Sequence, residues 1–580
     1  MWATTLLLAG VASAAAGHPT NSTLAIVCTD AYARAALPAD NVCPGIIIDH
    51  SSISTGAFYG VSFTGQYNYP DATFNYCNVT FAYSHNGRND RVLVTYWLPA
   101  PADFQARFLS TGGGGWAINE GNNSVAGGIA YGAAAGLTDG GFGSFDNAFD
   151  DVFPLANGTI NWPPLYMWGY QGIHEMTVIG KAFTKKFFNM GNESKLYSYY
   201  QGCSEGGREG WSQVQRFNEF DGVITGAPAF RFAQQQIIHL HSNVVEQTLD
   251  YYPPPCELDE IVNQTIAACD PLDGKTDGVV SRSDLCKLHF NLNSTIGKPY
   301  SCPATAGNPS GGVPPSPEQK GAVSAQGVAV AATIIEGLKD SQGNLVYFSY
   351  QPAAAFVDAQ TQYNATSGKY ELLQQPFGAE WVERYLHLQN ASLLPTFEGV
   401  TYNTLEACIK QGMQMYEQSL QTTWPDLTPY HQAGGKILHY HGESDPSIPT
   451  ASSVRYHESV RQIMYPRLSY NESNARLNEW YKLYLVPGAG HCAPNTYQPN
   501  GPFPQTNLQV MIDWVEEGVE PKTLNATVLL GEHKGENRQI CEWPLRPYWP
   551  TNGTEVACVY DQPSIDTWHY DLDVYKVPIY

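Results

Sequence analysis

The run Gly202-Cys203-Ser204-Glu205-Gly206 constrains this chain more than any other stretch, because it reads Gly-x-Ser-x-Gly between a predicted buried strand (196–201) and a predicted helix (207–217). A sharp strand-to-helix turn crowds backbone against backbone and strains the central serine, so the positions two residues to either side must lack a Cβ. Ser204 then projects at a helix N-terminus, whose unpaired N–H groups and dipole favour a developing negative oxygen. That arrangement suits nucleophilic acyl transfer. Alone the motif is weak in a chain with 54 glycines, so its surroundings decide.

Those surroundings repeat a strand–turn–helix rhythm. A strand over 91–98 stops at Pro99, and a second at 108–110 runs directly into Thr111-Gly112-Gly113-Gly114-Gly115-Trp116. Consecutive glycines at a strand end expose backbone N–H groups, so the amides of Gly113 and Gly114, with that of Glu205 after the serine, are the expected oxyanion donors. A long helix over 165–188 precedes the serine strand, and a short buried strand follows at 222–228. The rhythm then stops for about 200 residues rich in Tyr, Gln, Asn and Pro, and resumes at 435–442 with strand, helix (453–464) and strand (481–486).

This order predicts an α/β protein, specifically an α/β-hydrolase fold with a large inserted lid domain. Residues 18–228 form the first part of the catalytic domain, beginning with an irregular β-rich layer over 25–90. Residues 229–425 form the lid, with a linker at 308–317, and residues 426–580 complete the catalytic domain and add a C-terminal segment.

Ser204, Asp445 and His491 occur in the order Ser, Asp, His, each at the end of a predicted strand, where such sheets gather catalytic groups. His491 is the expected base and Asp445 its orienting partner. An Asp before Pro is commonly a turn former, and His439 and His441 are competing histidines. What favours His491 is its glycine-rich turn and its neighbour. Cys203 immediately precedes the serine and Cys492 immediately follows the histidine, so a bridge between them would tie nucleophile to base.

The compartment follows from other signals. Residues 1–17 read as a signal peptide, and twelve Asn-x-Ser/Thr sequons include Asn78, Asn122, Asn157, Asn192, Asn263, Asn293, Asn364, Asn390, Asn471, Asn525 and Asn552. Twelve cysteines without a tight Cys/His cluster favour disulfides, with Cys269–Cys286 and Cys541–Cys558 as local staples. A secreted, extracellular protein is expected. Its net charge of -23 leaves no basic stripe for nucleic acid or an anionic membrane surface, and a small neutral substrate fits better.

Gly-Cys-Ser-Glu-Gly-Gly-Arg-Glu-Gly at 202–210, the Cys-Ser…Asp…His-Cys arrangement, Tyr252-Pro253-Pro254-Pro255-Cys256 and His439-Tyr440-His441-Gly442-Glu443-Ser444-Asp445-Pro446 together resemble the secreted fungal tannase and feruloyl esterase family. The resemblance covers nearly all of the chain after residue 17. It implies hydrolysis of small phenolic esters such as gallate esters and tannins, through an acyl-enzyme on Ser204 and without an organic cofactor. Feruloyl ester hydrolysis is the alternative within the same chemistry, and a catalytically silent binding glycoprotein the alternative outside it.

The lid carries a second candidate site. Asp270, Asp273 and Asp277, with the carbonyls of Lys275 and Val279, place hard oxygens along a glycine-broken loop, which suits calcium as well as it suits a metal-free acidic turn. The resemblance implies a structural Ca2+ here, ordering the lid. Glu205 and Arg208 beside the serine read as structural. Oligomeric state and substrate-pocket residues are not readable at this level.

Overall fold

Nine strands build the central sheet of the computed structural model, which describes residues 23–580 apart from 192, 308–313, 551, 552, 554 and 573. The signal peptide, Asn192, Asn552 and most of the 308–317 linker lie outside the described residues. In chain order the strands are β1 (Ile46–Phe63), β2 (Ala72–His85), β3 (Val92–Pro99), β4 (Arg107–Thr111), β5 (Ala133–Thr138), β6 (Tyr197–Cys203), β7 (Gly222–Gly226), β8 (Lys436–Gly442) and β9 (Tyr481–Val486). They lie in the order β1-β2-β3-β5-β4-β6-β7-β8-β9. The first three neighbour pairs are antiparallel and all later ones parallel, with Ser110 beside Tyr200 and Cys203 beside Gly226.

The inner strands are buried on both faces, and their alternation feeds two cores. Tyr199, Ile224, Leu438 and Tyr484 pack with α1 (Asn122–Ala130) and a helix near the C-terminus (Asn507–Glu516). Tyr200, Val223, Ile437 and Leu483 pack on the opposite side with α2 (Gly172–Phe187) and α3 (Glu205–Arg216). This is the open, largely parallel sheet with helices on both faces that collects ligands at its strand C-termini. The expected α/β class holds.

Three features differ from the sequence expectation. Residues 46–85 form two long strands that extend the sheet, with register shifts between Asp49 and Ser54 and between Phe58 and Val61, and their alternating Ile, Val, Phe and Tyr residues leave one face half-exposed. The helix expected over 165–188 is broken by a π-helical turn at Met167–Gln171, whose Trp168 and Gly169 carbonyls accept hydrogen bonds of 2.9 and 2.8 Å from Arg208. Finally, β5 gives no β-branched signal except Thr138. Its small residues are required because a Cβ at Gly136 would lie 2.7 Å from the Tyr96 ring.

Between β7 and β8, the described residues add no strand to the central sheet. They form helices and three two-stranded ribbons; Val245, Leu258, Ile261, Val262, Val280 and Val328 make a separate core, while Phe232, Leu240, Val346, Trp381 and Leu405 join a core of the central sheet. Cys256–Cys302 and Cys269–Cys286 staple this part, Cys28–Cys77 ties the N-terminus to β2, and Cys541–Cys558 closes a C-terminal ribbon. Cys43 and Cys408 remain as buried thiols, each pushed up to about 11 by burial, with Glu175 and Glu219 adding to the effect at Cys43. An even cysteine count therefore does not imply complete pairing here. Among the described residues, no helix is long and apolar enough to cross a membrane.

Candidate active site

Ser204 sits between β6 and α3 with φ 63 and ψ -123, a left-side backbone conformation that only a rigid frame sustains. The frame is backbone on backbone: Ser204 donates its amide to Gly226 O at 3.0 Å and Gly206 to Gly113 O at 2.9 Å. A Cβ on Gly206 would lie 2.6 Å from Gly113 O, so the glycine is steric necessity.

The loops after β8 and β9 complete the site. His491 Nε2 lies 2.8 Å from Ser204 Oγ and His491 Nδ1 lies 2.8 Å from Asp445 Oδ2. Asp445 Oδ1 accepts the amides of Ser447 at 2.8 Å and Ile448 at 2.9 Å. Burial raises the Asp445 pKa, but the facing His491 and the hydrogen bonds from His441 and His491 outweigh it and hold this carboxylate well below its usual range. At His491 burial acts downward, while the Asp445 charge and hydrogen bond, with Glu120 beyond, raise the pKa above its ordinary value.

His439 and His441 serve this arrangement from behind. One proton order satisfies the whole chain: Tyr481 donates to His439 Nδ1 (3.0 Å), His439 Nε2 to Ser453 Oγ (2.8 Å), and Ser453 to His441 Nδ1 (2.6 Å). His441 Nε2 then donates to Asp445 Oδ2 at 3.1 Å. Burial keeps His439 neutral, as this order requires. Beneath the same loop, the buried Glu443 accepts from Arg546 at 2.6 and 2.8 Å and from Ser283 at 2.6 Å, fixing β8 to the insertion and to the C-terminal segment.

Cys203 and Cys492 are disulfide-bonded with Cα atoms 6.0 Å apart across 289 residues, so the serine and histidine loops are covalently joined.

The oxyanion expectation needs correction. Gly113 N–H donates to Glu209 Oε2 at 3.0 Å and Gly114 N–H to Ala117 O at 3.2 Å, so both amides are already engaged. Among the described residues, the amides of Gly115 and Glu205 donate to no protein acceptor, and both residues line the cavity at Ser204. Gly115, with φ 60, is the glycine of this run that lines the cavity with its amide uncommitted. The Glu205 carboxylate instead points inward to the buried Arg208 guanidinium, which stacks 4.6 Å from the Trp168 ring. Arg208 is thus a structural clamp.

The catalytic cavity has a volume of about 280 Å³ and lies between the sheet and the insertion, walled by Trp116, Phe232 and Phe377. Glu120 also borders a second cavity of about 280 Å³ beside Cys203. Glu120 is exposed, yet desolvation by the surrounding protein pushes its carboxyl up to about 7 against the pull of His491.

At the acidic loop, Asp270 accepts the amides of Asp277, Gly278 and Val279 at 3.0, 2.9 and 3.3 Å. Asp277 Oδ2 lies 2.7 Å from Arg538 Nη1 and 3.3 Å from Lys275 Nζ. Burial, followed by the charges of Asp277 and Asp270, pushes Asp273 up to about 7 despite hydrogen bonds from Lys275 and Ser281. No group of three or more His, Cys, Asp or Glu among the described residues is arranged as a metal site. The donors are the hard oxygens that calcium takes, with Asp277 already paired to Arg538 and Lys275.

Of the described sequons, Asn122, Asn157, Asn263, Asn293, Asn390 and Asn471 are exposed, and Asn364 and Asn525 half-buried. Asn78 departs from expectation, since it lies within β2 and accepts from Thr95 Oγ1 at 2.6 Å.

Comparison with known proteins adds an independent line. A family model described as tannase and feruloyl esterase matches residues 77–565. A tannase of Aspergillus oryzae is 50% identical over 573 residues, spanning 96% of each chain. The solved tannin acyl hydrolase from Aspergillus niger superposes with a TM-score of 0.94 at 59% identity, covering 97% of this chain and 100% of that one. Feruloyl esterase B from Aspergillus oryzae superposes with a TM-score of 0.67 at 26% identity, covering 89% and 97%.

Proposed function

The chain belongs to the tannase and feruloyl esterase family and is a carboxylic ester hydrolase; from that premise we infer that it hydrolyses galloyl esters of tannins through Ser204, releasing gallic acid. The observation that carries the reading is the unbroken series Ser204 Oγ, His491 Nε2, His491 Nδ1 and Asp445 Oδ2, with both links at 2.8 Å, in which Ser204 and His491 line the catalytic cavity.

His491 takes the Ser204 proton as Oγ attacks the ester carbonyl, forming the carbon–oxygen bond of a tetrahedral adduct. The amides of Glu205 and Gly115 receive the oxyanion. Collapse expels the alcohol, to which the imidazolium returns its proton, and leaves Ser204 acylated. Water, deprotonated by His491, then repeats the sequence in reverse and frees the acid. Asp445 holds the imidazole tautomer throughout, and its low pKa keeps it anionic at every pH where His491 is competent.

The 50% and 59% identities to proteins named tannase and tannin acyl hydrolase favour galloyl esters. A second reading, hydrolysis of feruloyl esters, rests on the more distant likeness to feruloyl esterase B. Secretion is part of the proposal, supported by five disulfide bridges and exposed sequons, which suit an oxidising, glycosylating compartment. So are the role of residues 229–425 as a lid, supported by their wall of the cavity, and calcium at Asp270, Asp273, Asp277, Lys275 O and Val279 O. When bound, the ion would neutralise the acidic loop and order the segment stapled by Cys269–Cys286. The deciding experiment measures gallic acid released from methyl gallate: wild type is expected to release it and Ser204→Ala is not. Equal release by both would remove the assignment.

A further inference from the structure

We propose that the second cavity, beside Cys203, receives the alcohol half of the ester and binds it as a polyol, with Asn68, Asn123, Gln201 and Glu120 as its hydrogen-bonding groups. The proposal rests on the galloyl-ester reading above, since it concerns what the galloyl group is esterified to.

This cavity of about 280 Å³ has no lining residue from the insertion and shares Glu120 with the catalytic one. Gly114 and Cys492 line the catalytic side, Gly112 and Cys203 the other, so the Cys203–Cys492 bridge and the glycine strap stand between the two. A Cβ on Gly114 would lie 3.1 Å from Glu120 Oε1, which places this carboxylate against the strap. The two halves of an ester diverge from its scissile carbonyl, and the consecutive residues Cys203 and Ser204 border the two cavities.

The linings differ in chemistry. Trp116, Phe232 and Phe377 set apolar rings into the catalytic cavity, whereas Asn68, Thr111, Asn123, Ser124 and Gln201 bring carboxamides and hydroxyls to the second. Several of these polar ends are uncommitted among the described residues. The carboxamides of Asn68 and Asn123 make no hydrogen bond there, Gln201 Oε1 accepts none, and Gln201 Nε2 reaches Asn68 O only at 3.5 Å. Their backbone is nonetheless held: Tyr69 donates to Asn123 O at 2.8 Å, and Gln505 Nε2 to Gln66 O at 2.6 Å.

Glu120 adds a carboxylate with no hydrogen-bond partner among the described residues, in a setting that desolvates it. A polyol matches this set because each hydroxyl both donates and accepts, serving carboxamides in either sense and the carboxylate as well. An alkyl alcohol carries no such groups beyond its ester oxygen and leaves the lining to solvent.

The test uses the acyl-enzyme. An alcohol seated beside it attacks the acyl carbonyl, so a bond to the alcohol oxygen forms and the bond to Ser204 Oγ breaks, while the alcohol proton passes through His491 to Ser204 Oγ. Wild type is given methyl gallate with glucose and 1-propanol at equal concentration, and galloylglucose and propyl gallate are quantified. Galloylglucose is expected to exceed propyl gallate about 10-fold or more, and Asn123→Leu and Gln201→Met each to lower that ratio about 5-fold. A wild-type ratio near one overturns the subsite, and so does a ratio that neither substitution moves beyond twofold. The wild-type ratio alone decides if a substitution prevents folding. Consumption of methyl gallate by wild type reports the functional reading separately: no consumption removes that reading, whereas consumption without preference for glucose removes only the subsite.

Discussion

The amide of Gly113 donates a 3.0 Å hydrogen bond to Glu209 Oε2, tying the glycine strap after β4 to the helix that begins at the nucleophile. Burial, and next the Glu205 charge, push the Glu209 carboxyl well above its usual range, which favours its neutral form. A proton on Oε1 directed at Glu205 Oε2 satisfies two buried oxygens that otherwise have no partner among the described residues.

A glutamine reproduces both functions, accepting from Gly113 and donating to Glu205. Glu209→Gln is therefore expected to keep kcat within about threefold of wild type, whereas Glu209→Leu releases the strap and lowers kcat by about 10-fold or more, a fraction of the loss caused by deleting an oxyanion donor outright. Equal behaviour of the two variants in steady-state assays contradicts this role.

The two histidines near Asp445 separate by function. His491→Ala should lower kcat by roughly 10³-fold or more, because triad members act as a unit. His441→Ala should cost about 10-fold, since Asp445 keeps the amides of Ser447 and Ile448. Near-normal turnover by His491→Ala with loss in His441→Ala reverses the assignment of the base.

The pH profile follows from the His491 environment. Its imidazole must be neutral to accept the serine proton, so kcat/KM falls as pH drops through its pKa. Burial lowers that pKa, but Asp445 and Glu120 more than compensate, which places the acid limb above the ordinary 6.5. Removing the Glu120 charge by Glu120→Gln should move the limb to lower pH. An unmoved limb shows that Glu120 does not act on the base.

For the acidic loop, elemental analysis of unstripped protein is expected to find calcium, and chelation to lower Tm. Mass action gives about 2.7 kcal/mol of stabilisation when free ion exceeds Kd by about 100-fold. Metal-free protein whose Tm ignores both calcium and chelator removes this site.

Much of the catalytic frame was legible because it is local. Ser204, Asp445 and His491 each follow a strand with a strong hydrophobic pattern, and the glycines around them mark positions where backbone meets backbone. The pairing of Cys203 with Cys492 could be read because each cysteine adjoins a candidate catalytic residue, whereas Cys28–Cys77 and Cys256–Cys302 carry no such marker. β5 was invisible because Ala133–Thr138 is selected for smallness against Tyr96 and Met176, not for β-branching. Which glycine amide faces the cavity depends on which ones Glu209 and Ala117 capture, and that is a tertiary fact.

The most direct measurement sets kcat/KM on methyl gallate beside kcat/KM on methyl ferulate for the wild-type enzyme. A galloyl ring sits directly on the scissile carbonyl, whereas a feruloyl group interposes a propenyl spacer and replaces one donor with a methoxyl, so the two rings reach different depths of the cavity. The account predicts a clear preference for gallate, with gallic acid released from tannic acid. Efficient cleavage of ferulate with negligible gallate turnover would contradict it, reassigning the substrate while leaving Ser204, His491 and Asp445 in their roles.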